Sequence, residues 1–554
     1  MMRKWMLRVL LSVGLVTFVG CSNRTSFVME ENMEDYELAS TTPFGKYPEL
    51  VTYTLGKMSG ANNSNMPLGD TYEDNAYTRY LREMLNIQNI DAFEESTDYD
   101  NVVSMAITAE DLPDVMVISD QEQLQTLVEK DLIEDLTEVY ENCTSDTIKE
   151  IYESYGEEII ENVTIDGKIM ALPETNIENG PSLLWLRQDW MDKLGLEAPK
   201  TLKDAVYIIK QFIEKDPGNN GEGRTVGLAC VPDLVGEAGY SFEYQLDIIF
   251  ANYGAFPKQW IYNKNNELVY GSIQPEAKKA LEKLHHMYTS GILDSQFLLR
   301  SSENIIDLIV NGRCGSFFGP WWAPNNPLIN AKKSNPDADW VPYLISTNSD
   351  GSTSYISQNP SYKYVVVRKG YEHPEIIMKI ISVLFDYVRY QEPDAKELAR
   401  YYQLNVDPTA RPLAINVDFA DALKRCYQDI QQVFQGKLPA DKLELLEASY
   451  YSSCKAYVEE GEHATLEDWA AYTSRITACG VIEQADVIQV KSEFFGETDT
   501  MKQEWWKLKK LEEKTYLQII TGETSIDSFD EFVAQWKEQG GSTIMREVSN
   551  KVEN

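Results

Sequence analysis

Pro113-Asp114-Val115-Met116-Val117-Ile118 places a turn-forming pair ahead of four consecutive apolar residues. A short apolar run without alternation is the pattern of a strand covered on both faces. Upstream, Leu50-Val-Thr-Tyr-Thr-Leu55 alternates Val51, Tyr53 and Leu55 with two threonines, a second strand signal. A Gly/Asn-rich loop over 56–70 then leads to a helix carrying Tyr77, Tyr80, Leu81, Met84 and Leu85 on one face. The order predicts a β-α-β start and an α/β sheet. Downstream, Asp166 to Pro173 reads as a turn and a short strand. Thr201 with Asp204 forms a capping box ahead of a stripe of Ala205, Ile208, Ile209, Phe212 and Ile213. Tyr364-Val-Val-Val367 repeats the buried-strand pattern, and the last 150 or so residues read as mainly helical. No internal repeat is visible.

The chain has 554 residues, enough for several domains. Acids outnumber bases 88 to 50, a net charge of −38. That sign argues against nucleic acid, whose phosphates need a basic face. Four histidines, two of them adjacent, make a multi-histidine metal centre a poor fit. No P-loop, H-E-x-x-H, G-x-S-x-G or strand-linked G-x-G-x-x-G occurs. Among so many carboxylates no pair singles itself out as catalytic. Beyond Cys21, six cysteines remain, none spaced C-x-x-C, so they read as buried thiols.

Arg3, Lys4 and Arg8 precede a twelve-residue apolar run, Val9 to Gly20, too short to span a bilayer. Residues 1–20 therefore read as a signal peptide. Phe18-Val19-Gly20-Cys21 resembles the lipobox of bacterial lipoproteins, which implies lipidation of Cys21 and an anchor on the extracellular face of the membrane. Phe18 stands where such boxes usually carry leucine. Residues 21–46, acidic and without periodicity, read as a flexible tether.

Gly315-Ser-Phe-Phe-Gly-Pro-Trp-Trp322 ends a short strand in a tight turn that displays two tryptophans. Sugars offer apolar C–H faces to aromatic rings while their hydroxyls seek amides and carboxylates. Trp321 and Trp322 are thus candidates for a ligand cleft, whereas Trp185, Trp190, Trp505 and Trp536 read as core. In open α/β sheets ligands sit beyond the carboxyl ends of strands. The polar residues there are Asn62, Asn63 and Asn65 after the first strand, Asp120 after Ile118, and Glu174 with Asn176 after Pro173.

Four segments carry a resemblance to the family 1 extracellular solute-binding proteins of carbohydrate ABC importers, in particular the large Gram-positive lipoproteins. They are Gly167–Pro173, Leu184–Leu196 with Pro199–Leu202, Asn311–Trp322 with Asn335–Trp340, and Ser525–Gly541 with Glu547–Asn550. The resemblance implies a two-lobe, type II-like periplasmic-binding-protein fold with ligand between lobes joined by hinge strands. The first lobe is expected over 47–172 with about 362–410, the second over 175–360 with about 411–554. It further implies a monomeric, non-catalytic receptor that delivers an oligosaccharide to the membrane subunits of an ABC permease. Trp321 matches the family's sugar-stacking tryptophan, which follows a Gly-Pro pair. A non-sugar ligand such as a peptide or small polar metabolite, and a secreted glycan-degrading enzyme, are the alternatives.

Members of this group often carry a calcium loop. The corresponding segment, Asp216 to Thr225, keeps Asp216, Asn220 and Gly221 but has Gly218 and Arg224 in place of two acids. Calcium affinity follows ligand charge, so no cofactor is expected.

Overall fold

The computed structural model describes residues 35–60, 65–236, 243–356, 359–391, 395–404 and 406–553. Two sheets organise it. Their strands, with one flanking pair, are β1 (Val51–Met58), β2 (Ile87–Glu95), β3 (Val115–Ile118), β4 (Leu172–Pro173), β5 (Leu183–Arg187), β6 (Val226–Leu228), β7 (Cys314–Gly319), β8 (Trp340–Tyr343), β9 (Thr353–Ile356), β10 (Tyr364–Val367) and β11 (Val487–Val490).

The first sheet has the order β2-β1-β3-β10-β4. β1 runs parallel to both neighbours, with Val51 opposite Ile87 and Leu55 opposite Val115. Helix α1 (Ala76–Leu85) connects β1 to β2, and α2 (Tyr99–Ala109) connects β2 to β3, as parallel pairing requires. β10 returns antiparallel to β3 and to β4. Every residue of β3 and β10 is buried, the consequence of helices on both faces. Asn75 caps α1, its Oδ1 accepting from the Tyr77 and Thr78 amides. Helix α3 (Gln121–Glu129) begins directly after β3.

The second sheet has the order β8-β5-β7-β6, with β5 antiparallel to β7 and β8, and β6 parallel to β7. Trp185, on β5, is fully buried and donates from Nε1 to the Pro320 carbonyl. Helix α4 (Leu202–Lys215) opens with the expected capping box between Thr201 and Asp204. β9 and β11 form a separate parallel pair.

Two lobes result. One core gathers residues from Ala39 to Leu172 and from Tyr364 to Phe419, with Leu445. The others gather β5–β8 and the C-terminal helices. Two boundaries differ from the sequence reading. Residues 35–46, read as part of a tether, fold onto the first lobe. Ala39 and Tyr47 are buried, and Lys379 Nζ donates to the Thr42 and Gly45 carbonyls. The second stretch of the first lobe also continues past 410, since Leu413, Ile415, Val417 and Phe419 all enter its core. Helices α5 (Lys396–Gln403), α6 (Leu445–Glu460) and α7 (Leu466–Tyr472) pack in series, so α6 bridges first-lobe α5 and second-lobe α7. A last long helix, α8 (Asp499–Thr521), packs on the second lobe. Among the described residues no helix is long and apolar enough to cross a membrane.

Candidate functional site

Three strips among the described residues run side by side between the lobes, over 173–183, 359–364 and 412–423. The three passages are hydrogen-bonded side by side. The amides of Glu174 and Asn176 donate to the carbonyls of Lys363 and Pro360, and those of Thr175 and Glu178 to Asn416 and Ala420. The middle strip, 174–178, thus carries a neighbour on each edge. This ribbon is the hinge.

Successive residues of an extended strip point to opposite sides. Asn176 and Glu178 face one cavity of about 180 Å³, with Tyr155, Tyr355 and Gln489. Ile177 faces another of about 270 Å³, which holds Arg389, Arg411, Asp418, Glu444 and Arg475. A third cavity, of about 370 Å³, lies between the carboxyl end of β3 and the second lobe. Asp120 and Gln121 line it from the first lobe, Asn359 and Tyr362 from the hinge, and Trp260 and Trp505 from the second. The two indoles stack at 6.1 Å and 24°. Buried Gln259 also lines it, and neither of its amide atoms has a hydrogen-bond partner among the described residues. Such a lining supplies apolar ring faces and amide donors and acceptors across the lobe boundary.

The sequence model of the bacterial extracellular solute-binding proteins matches residues 86–364, half of the chain. This chain belongs to that family. Two relatives of this solute-binding protein come from Bacillus subtilis (strain 168). The lipoprotein LipO is 23% identical over 71% of this chain and 73% of its own length. The polygalacturonan/rhamnogalacturonan-binding protein YtcQ is 22% identical over 70% and 71%. The fold is shared with the alginate-binding protein AlgQ2, at a TM-score of 0.60 and 15% identity over 93% of this chain and all of that one. It is shared too with the substrate-binding protein FusA of S. pneumoniae in complex with kestose, at 0.62 and 15% over 91% and 99%.

The residues singled out by sequence fall in different places within the binding protein. Cys21, Asn62 and Asn63 lie outside the described residues. Asn65 is exposed in a left-handed conformation, φ 53°. Asp120 lines the third cavity and caps α3, accepting from the Gln123 amide at 2.7 Å. Asn176 sits in the hinge, donating from Nδ2 to the Asn359 carbonyl. Glu174 is fully buried there, with Lys363 Nζ at 3.9 Å. Burial pushes its carboxyl up to about 7, against the partial opposition of Lys363. The Asn416 and Tyr362 backbones lie near its oxygens without closing hydrogen bonds.

Trp321 does not bare its ring. It is 5% exposed, donates from Nε1 to Asn179 Oδ1, and carries the Arg475 guanidinium 4.4 Å from its ring centroid. Trp322 is half-buried against the second lobe. Trp185, Trp190 and Trp536 are core as read, but Trp505 corrects the sequence reading. It is half-buried and lines the third cavity, because its helix, α8, presents this position to the lobe boundary. Trp260, Arg475 and Arg411 were not singled out at all. A stronger sequence signal for Trp505 was its place in the pair Trp505-Trp506, since one helix face cannot bury both. Trp506 is 61% exposed.

The Asp216 loop closes on itself. Asp216 accepts from the Asn220 and Gly221 amides and from Thr225 Oγ1. Burial works upward on its carboxyl, but these hydrogen bonds outweigh it and hold the group below the usual range. At Gly218 an added Cβ would lie 2.6 Å from the Trp190 ring, so no acid fits there. Of the loop's two carboxylates, Asp216 has its oxygens engaged by these hydrogen bonds and Glu222 is exposed, with the Arg224 cation in the same loop.

Proposed function

We propose that this solute-binding protein captures an oligosaccharide in the cleft between its lobes and passes it to the membrane subunits of an ABC permease. It does so as a monomer held to the extracellular face of the membrane through lipidated Cys21, without calcium and without catalysis. The observation that carries the reading is the third cavity. Stacked Trp260 and Trp505, with the Gln259 amide beside them unpartnered among the described residues, face Asp120 across the lobe boundary. An indole pair and partnerless amides suit a ligand that is apolar on its ring faces and hydroxylated at its rim. The relatives support it, since YtcQ is named for polygalacturonan and rhamnogalacturonan and FusA for fructooligosaccharide. Asp120, Asn176 and Trp322 keep their proposed contact roles, as do Asn62, Asn63 and Asn65 after β1. Trp321 acts through the guanidinium on its face.

A melting-temperature screen against neutral and acidic oligosaccharides, peptides and small metabolites tests this, because a ligand selective for the native state raises apparent stability. At least one oligosaccharide should raise the midpoint by several degrees, and Trp505→Ala should cut that shift. A shift by peptides alone, or new reducing ends appearing in the sugar, would sink the reading.

A further inference from the structure

Four arginines line the cavity on the Ile177 face of the hinge; Arg425 is exposed and pairs with Asp421, and the other three are each held by aromatic rings. Arg389 and Arg411, from the first lobe, both lie 5.0 Å from the Phe385 ring centroid. Arg475, from the second, is sandwiched between Trp321 at 4.4 Å and Tyr450 at 3.8 Å. Aromatic faces fix a guanidinium's plane while leaving its edge donors free. Arg389 spends its charge on Asp418, at 2.7 Å. Arg411 donates to the Ile415 carbonyl and to Asn416 Oδ1, both neutral. Arg475 makes no hydrogen bond and no ion pair among the described residues, and its contacts there are the two ring faces.

We infer that this chamber is a subsite for a carboxylate-bearing sugar residue, a uronate, with Arg475 and Arg411 gripping its carboxylate from opposite lobes. The inference rests on the oligosaccharide reading above and adds the ligand's charge. Arg411 is buried and Arg475 half-buried; a guanidinium withdrawn from water costs free energy unless an anion answers it, and its planar fork matches a carboxylate with two parallel hydrogen bonds. The chamber does not supply that answer itself. No carboxylate among the described residues pairs with Arg475, and burial holds the Glu444 carboxyl well above the usual range and pushes that of Glu447 up to about 7. The position of Arg475 is equally telling. It covers one face of Trp321, a ring only 5% exposed, so the group presented to a ligand there is a cation. A carboxylate reaching both lobes would also tie them together, coupling recognition to closure.

The test uses the chain beginning after Cys21 and titration calorimetry. The probes are trimers of galacturonate, mannuronate and guluronate, each paired with its carboxyl-reduced neutral counterpart. A fructotriose and a xylotriose serve as neutral controls. At least one uronate trimer should bind about 100-fold or more tightly than its reduced form. Arg475→Gln should erase that preference with the melting temperature of the free protein little changed, and Arg475→Lys should restore only part of it. Equal binding of the acid and reduced forms overturns the inference. So does binding of the neutral controls alone, which leaves the oligosaccharide reading standing. Binding of no saccharide overturns both. If Arg475→Gln does not fold, the acid-to-reduced ratio of the unaltered protein decides the matter.

Discussion

Replacing Glu174 by glutamine should stabilise the protein, and only at the alkaline end of the accessible range. Glu174 is fully buried in the hinge, its oxygens without hydrogen bonds and its nearest cation 3.9 Å away. Its carboxyl titrates near 7 in the folded chain against 4.5 for an ordinary glutamate. The fold therefore favours the protonated form. A group with a raised folded pKa supports stability fully below its unfolded pKa and loses that support as pH climbs through the folded one. The window runs from about 4.5 to about 7. At about 1.4 kcal/mol per pKa unit, ionisation costs roughly 3 kcal/mol by pH 8. Glutamine keeps the shape and never ionises. The variant should match the parent at pH 4.5 and exceed it by about that amount at pH 8. In melting temperature this is on the order of 3 °C for a cooperative unfolding of the whole chain, and more if the lobes melt separately. Scanning calorimetry of both proteins at four pH values measures it. A difference that does not change with pH, or a parent more stable at pH 8, would refute the reasoning.

Cys21→Ser should release the protein to the medium or leave it unprocessed; membrane association of the variant that only detergent breaks would contradict lipidation. A chelator should move the melting temperature by less than about 1 °C, since the Asp216 loop is closed by its own hydrogen bonds; a large fall reversed by calcium would count against this. The six described cysteines are buried and unpaired, and burial pushes the Cys143 and Cys314 thiols up to about 11. A thiol reagent should find essentially none of them in the native chain beginning after Cys21, and all six after denaturation; rapid labelling of the native chain would show the packing to be looser than described. Trp321→Ala should lower stability by about 3 kcal/mol, as its ring is covered and its Nε1 engaged; an unchanged denaturation midpoint would mean that the ring packs on nothing essential.

The central strands were legible because burial on both faces leaves its mark in composition. Val115–Ile118 and Tyr364–Val367 admit no polar residue, and both proved to be neighbours in the middle of one sheet. β2 left no such mark. It is an edge strand, and its sequence Ile87-Gln-Asn-Ile-Asp-Ala-Phe-Glu-Glu95 is mostly solvated. The hinge was visible as a segment, from Gly167 to Pro173 onward, but its two other strips were not, because their pairing with 174–178 spans some 180 and 240 residues and has no local signature. Residues 35–46 read as a tether since a segment without periodicity hides a contact made by few side chains, here Ala39 with Tyr36 and Phe44. For the site, strand-end logic found Asp120 and Asn176. It could not find Arg475, whose meaning depends on two rings distant in sequence.

The hinge ribbon has a mechanical consequence. Three strips joined edge to edge by backbone hydrogen bonds deform as a plate, not as three threads. A plate flexes readily out of its own plane and resists shearing within it. The lobes are thereby left with one soft coordinate, a nod about an axis across the strips, while sliding and swivelling are stiff. Since cavities occupy both faces of the plate, curvature that shortens one face lengthens the other. The space beside Ile177 and the space beside Asn176 and Glu178 therefore work as the two pans of a balance. Filling one side tilts the beam, and the opposite side registers it with no rearrangement of either core.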